Sequence, residues 1–223
     1  MVIIYPFIAV LFGFSLVIVF KSNRNHLVKL LLPFSGAFLL ALTFFELLPE
    51  VYEALNSRLT GVLIMSGILL QIVLEFFSKG AEHGHIHSKN SNKNFPWLLF
   101  ISLSIHSFLE GFPIKDNNDV VYGIIIHKIP VAILILTFLL ESKFSNFQIL
   151  FFLIVFALMT PIGSLISNYS NLISPFNSYV NGLSIGIFLH ISTVILFESS
   201  EGHKVNFQKL LLIGLGVLIA YFI

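Results

Sequence analysis

Apolar residues run along this 223-residue chain in long unbroken blocks, neither alternating nor confined to one helical stripe. A helix that crosses a bilayer needs about 20 mostly apolar residues. Eight stretches qualify: 2–20, 28–50, 59–78, 95–113, 119–141, 145–168, 178–198 and 207–223. Polar segments such as KSNRNH, NSR, KDNND and ESKFSN separate them. Proline and charged residues interrupt the second and fifth. A membrane β-barrel would alternate apolar and polar positions, so the pattern predicts helices. The longest linker, 79–94, is rich in Lys, Ser, Asn and His, and nowhere is there room for a soluble domain. The expected fold is an all-α polytopic membrane protein of eight spans, with 1–223 one membrane domain and 79–94 a loop within it.

Composition supports this reading. Hydrophobic residues make up 57% and charged residues 10%, against roughly 25% charged in a soluble domain. A net charge of +1 gives no electrostatic footprint for nucleic acid. Cysteine is absent, which removes disulfides, thiolate metal sites and Cys nucleophiles together. The first apolar block lacks a positive leader and a small-residue cleavage site, and so reads as a span. With the N-terminus outside, the cytoplasmic segments carry nine basic residues (Lys21, Arg24, Lys29, Lys79, Lys89, Lys93, Lys143, Lys204, Lys209) and the outer ones two, Arg58 and Lys115. This asymmetry predicts both termini outside and loop 79–94 in the cytoplasm of a plasma or bacterial inner membrane.

Ionisable residues inside spans are costly and by default mark function. Span 4 carries His106 and Glu110, span 5 carries His127 and Lys128, and span 7 carries His190. His106 and Glu110 stand four apart and share one helical face. A short loop joins spans 4 and 5, so His127 can meet them. Two imidazoles and one carboxylate can hold a divalent ion with a position left open for water. A plainer reading also stands: buried histidines as hydrogen-bonded structural groups, and Glu110 neutralised by Lys128. Gly111 and Pro130 can free backbone carbonyls or bend the helices nearby.

Two further groups are candidates. His83, His85 and His87 alternate along the loop and can capture a metal ion loosely, or are simply solvated. Glu46 and Glu50, four apart near the outer end of span 2, can draw cations to an entrance, or are ordinary interfacial carboxylates. Glu75 and Glu141 read as interfacial.

These residues resemble the Zrt-/Irt-like, or ZIP, family of divalent metal transporters. The resemblance is strongest at His106-Ser107-Phe108-Leu109-Glu110-Gly111 and at His127-Lys128-Ile129-Pro130. Supporting segments are Gly36-Ala37-Phe38-Leu39 and Glu46-Leu47-Leu48-Pro49-Glu50 in span 2, Thr160-Pro161-Ile162-Gly163 in span 6, and Gly182 through Leu189 in span 7. The resemblance implies inverted repeats of spans 1–3 and 6–8 around spans 4 and 5, and a homodimer. It implies a metal ion bound by His106, Glu110 and His127, with Ser107 or water completing the shell. The transported ion would be Zn2+, with Fe2+, Mn2+, Co2+ and Cd2+ also suited to the donor set.

The chain departs from the family pattern where some members hold a second metal, at Ser107, Lys128, Val131 and Thr160. Lys128 places an ammonium there, Val131 removes a carboxylate, and Thr160 replaces an acid. Together these imply a single-metal site in which Lys128 supplies the second ion's charge. In span 7 the usual acid falls at Ile195, with His190 and Glu198 the nearby polar groups. The expected activity is import of a divalent ion, with no resident cofactor, no nucleotide site for ATP and no catalysis. An intramembrane metalloenzyme is the competing class, although HExxH is absent. A transport-inactive metal-binding or sensing homologue is the third.

Overall fold

The computed structural model describes residues 2–20, 24–78, 95–115, 119–198 and 207–223. Every regular element among the described residues is helical. Span 1 is helical over Tyr5–Val19, behind a 3-10 turn at Val2–Ile4. Span 2 runs through Arg24–Leu42, a π turn at Thr43–Leu47 and a final helix at Leu48–Ala54. Spans 3 to 8 are Ser57–Ser78, Trp97–Leu109, Val120–Glu141, Asn146–Tyr169, Asn177–Glu198 and Phe207–Phe222. Six of the eight are long and apolar enough to cross a membrane on their own, and Trp97–Leu109 and Phe207–Phe222 are shorter apolar helices. The chain is an all-α polytopic membrane protein.

The surface confirms the lipid setting. Val62, Met65, Leu69 and Val73 of span 3 are exposed, whereas Thr60 and Gln71 of the same helix are buried. Polar side chains inside and apolar ones outside fit a bilayer solvent.

The helices pack as two groups. Spans 1, 4, 5 and 6 associate through the pairs 1 with 5, 4 with 6 and 1 with 6. Spans 2, 3, 7 and 8 associate through 3 with 7, 2 with 8 and 2 with 7. Span 2 meets span 5, and span 3 meets span 4, across the boundary. Exchanging 1 with 6, 2 with 7, 3 with 8 and 4 with 5 maps the pairs within each group onto one another. Each exchange also reverses the direction of crossing, as an inverted repeat requires.

Small residues make the closest approaches, and these obey the same exchange. A methyl group on Gly67 would overlap the Leu183 carbonyl, and one on Gly186 the Ile64 carbonyl, fixing span 3 on span 7. The counterpart is Gly216 of span 8 against Phe34 and Ala37 of span 2. Gly163 of span 6 meets the Phe108 carbonyl of span 4, and Gly13 of span 1 meets Ile129 and Ala132 of span 5. Backbone-to-backbone packing of this kind drives helix association in lipid, where apolar burial alone does not.

Two apolar clusters follow the grouping. One gathers Phe14, Leu103, Val131, Leu139, Phe152 and Phe156 from spans 1, 4, 5 and 6. The other gathers Leu39, Leu47, Val120, Ile124, Phe188 and Ile191 from spans 2, 5 and 7. Span 5 enters both, and His127 and Lys128 lie between its Ile124 and Val131 contributions.

Candidate metal centre

Span 4 is shorter than the apolar run that encodes it. Thirteen residues, Trp97–Leu109, form the helix, about 20 Å at 1.5 Å per residue against a hydrocarbon core of about 30 Å. The chain then turns through Gly111–Ile114, all buried. A helix end leaves carbonyls without intrahelical donors, which is tolerable at membrane depth only when protein supplies partners. Here the backbone N–H groups of Glu110, Gly111 and Phe112 serve the His106, Phe108 and Leu109 carbonyls, and one face of span 6 serves Ser107 and the carbonyls of the turn that follows. Thr160 Oγ1 donates to the Ser107 carbonyl at 2.8 Å, Ser167 Oγ to Phe112 at 2.9 Å, and Asn168 Nδ2 to Ile114 at 2.8 Å. Ser164 Oγ also reaches Ile114 at 3.3 Å, and Ser184 Oγ of span 7 donates to Leu109 at 3.1 Å. The last helical turn, with His106 and Glu110, is thereby tied to spans 6 and 7.

His106, Glu110 and His127 converge there, each about 1% exposed. Among the described residues they form a group whose ligand atoms all lie within 4.8 Å of one another. His106 Nε2 is 3.0 Å from Glu110 Oε1, and His127 Nε2 is 3.7 Å from the same oxygen. Tetrahedral ligands about 2.1 Å from an ion stand about 3.4 Å apart, so the spacing suits one small divalent cation. On the far side of His106, Nδ1 faces Gln71 Oε1 of span 3 at 3.2 Å.

The plainer reading of Glu110 is realised at the same time. Its other oxygen, Oε2, forms an ion pair with Lys128 Nζ. Lys128 also donates to Ser107 Oγ at 2.7 Å and lies 4.7 Å from the centre of the Phe156 ring. Ser107 Oγ contacts Thr160 Oγ1 at 3.0 Å and the Phe156 carbonyl at 3.3 Å. Ser107, Lys128 and Thr160 thus form one hydrogen-bonded set around the ammonium. Val131 is 1% exposed inside an apolar cluster, and Ile195 is fully buried against Gly36.

The remaining candidates lie apart from this cluster. Glu50 pairs with Lys115, and Glu46 is exposed within the π turn. Pro49 lacks an N–H for the Phe45 carbonyl, which accounts for the widened turn. His190 Nε2 meets Glu75 Oε2 at 2.6 Å, joining span 7 to span 3. Glu75, read from the sequence as interfacial, is therefore half-buried in an interhelical pair. His83, His85 and His87, and the side chain of Glu198, lie outside the described residues. Sequence reasoning missed Gln71 and the polar face Ser164-Ser167-Asn168; the available signal was neutral polar residues inside otherwise apolar runs.

A bundle whose described elements are all helical, most of them long and apolar enough to cross a bilayer, defines an integral membrane protein. Comparison with known families agrees. A family model described as ZIP zinc transporter matches residues 79–223, and the chain belongs to this family. Protein zntD of Dictyostelium discoideum is 30% identical over 153 residues, covering 57% of this chain and 22% of that protein. Zinc transporter ZIP1 of Danio rerio is 26% identical over 121 residues, covering 49% of this chain and 39% of that protein. The chain therefore aligns with well under half the length of either relative.

Proposed function

We propose that this protein carries a divalent transition-metal ion, Zn2+ foremost, across the membrane into the cytoplasm through one site formed by His106, Glu110 and His127. The observation that carries the reading is the convergence of these three donors from two adjacent spans in a fully buried setting. The family model's description and the name of one relative, zinc transporter ZIP1, point to the same ion. Two imidazoles and a carboxylate match the preference of zinc.

A single ion is the consistent stoichiometry. Lys128 and its partners Ser107 and Thr160 occupy the region where a second cation would need acidic ligands. Glu110 and Lys128 together are neutral, so a divalent ion enters with two uncompensated charges. That charge, beside an ammonium, weakens binding and favours release. Binding that is too tight would slow a carrier.

The ligands of spans 4 and 5 belong to the first helix group; His106 faces Gln71 of span 3, and span 5 packs on span 2 of the second group. Sliding or rocking of one group against the other exposes the site to alternate sides. The basic-residue asymmetry orients loop 79–94 and the interior mouth towards the cytoplasm.

Uptake of zinc into proteoliposomes tests this, with wild type beside His106→Ala and Glu110→Ala. Wild type is expected to accumulate zinc, with both variants reduced at least tenfold. Equal uptake by all three contradicts the site.

A further inference from the structure

His106 touches two partners through its two ring nitrogens. Nε2 faces Glu110 within the cluster, while Nδ1 faces Gln71 Oε1 at 3.2 Å. Gln71 is fully buried on span 3, in the second helix group, and its Nε2 has no hydrogen-bond partner among the described residues. A buried amide in an apolar helix is costly unless its polar atoms are used. Only one of its two ends is used here.

The chemistry of the imidazole supplies a reason. An ion on Nε2 leaves neutral His106 protonated at Nδ1, and that buried N–H requires an acceptor. The Gln71 oxygen is at the required place. Without the ion, Nε2–H donates to Glu110, Nδ1 becomes an acceptor, and rotation of the amide presents N–H in place of oxygen. An amide can serve both forms, whereas a carboxylate serves only the first and an aliphatic side chain serves neither.

From this geometry, and resting on the function proposed above, we infer that Gln71 is a positioning residue of the metal site. It holds the His106 ring with Nε2 towards the ion, and its amide accommodates both the loaded and the empty state. It does so from across the boundary between the helix groups, since span 3 meets span 4 there.

The inference predicts different effects for two variants of similar size. Gln71→Leu removes the acceptor and weakens equilibrium zinc binding about 10- to 100-fold, the usual range for loss of a group that supports a ligand. Gln71→Glu keeps the acceptor and favours the loaded form. Its zinc affinity equals or exceeds that of wild type, while maximal flux falls several-fold. The measurement is zinc binding to purified full-length protein in lipid nanodiscs, paired with half-saturation and maximal flux in proteoliposomes, with His106→Ala as control. A residue that merely packs would not separate Leu from Glu in this manner. If His106→Ala loses binding while both Gln71 variants match wild type, or both variants shift affinity in the same direction, Gln71 does not position the site and the proposed function stands. If wild type and His106→Ala bind zinc equally, the proposed function falls and the inference with it.

Discussion

Lys128 and Glu110 form a buried ion pair between spans 5 and 4, each about 1% exposed, with Glu110 Oε2 facing the ammonium. The other oxygen faces His106 and His127. One carboxylate therefore serves a permanent internal cation and stands ready for a transient one. Removing one partner of a buried pair leaves an uncompensated charge and typically costs about 3–5 kcal/mol. Lys128→Met is accordingly expected to lower thermal stability markedly in metal-free protein. Added zinc should recover much of that loss, because the ion binds the folded state and neutralises Glu110. Thermal unfolding with and without zinc measures both.

Val131 lies one helical turn beyond His127, at 1% exposure among apolar neighbours. Val131→Glu adds a fourth donor on the same face of span 5. Zinc affinity is expected to rise at least tenfold, equivalent to about 1.4 kcal/mol, with maximal flux reduced by slower release. Binding isotherms beside flux curves distinguish this gain from a general loss of structure.

Asn168 donates to the Ile114 carbonyl and to the Ser164 carbonyl, both at 2.8 Å. Asn168→Leu leaves the Ile114 carbonyl with only the longer Ser164 bond. The expected cost is about 1–3 kcal/mol, with faster hydrogen exchange concentrated at residues 110–115. Uniform protection across the chain would contradict the fastening role assigned to span 6.

Glu75 and His190 pair at 2.6 Å between spans 3 and 7, with Glu75 one helical turn beyond Gln71. If the ion passes them on its way inward, Glu75→Gln and His190→Ala reduce maximal flux several-fold while zinc affinity at the main site stays within about twofold. Stopped-flow flux and equilibrium binding on the same preparations check the pair.

Much of the fold was legible in the sequence because lipid imposes a simple rule: a continuous apolar run becomes a helix. Spans 1, 3, 5 and 6 begin and end within a few residues of the apolar blocks. Span 4 does not, because apolarity continues through Phe112, Pro113 and Ile114 after α-helical hydrogen bonding has given way to tighter three-residue turns. The break depends on polar partners in span 6, some 50 residues away, which no local pattern reveals. The π turn in span 2 is a similar case, moving Glu46 to the surface and leaving Glu50 beside Lys115. Within the site, charged and imidazole side chains announced themselves by being in lipid at all. Gln71 did not, since a single neutral amide looks tolerable until its neighbour across the helix boundary is known. Glu75 looked interfacial from its place near a span end, and docking of span 7 brought His190 onto it.

The central claim is that one ion is held by His106, Glu110 and His127, with Lys128 in place of a second. Anomalous diffraction from zinc-soaked crystals tests it most directly. The prediction is a single strong peak between spans 4 and 5, about 2.0–2.2 Å from a ring nitrogen of each histidine and from a Glu110 oxygen. No peak there, or a second strong peak beside Lys128, would contradict it.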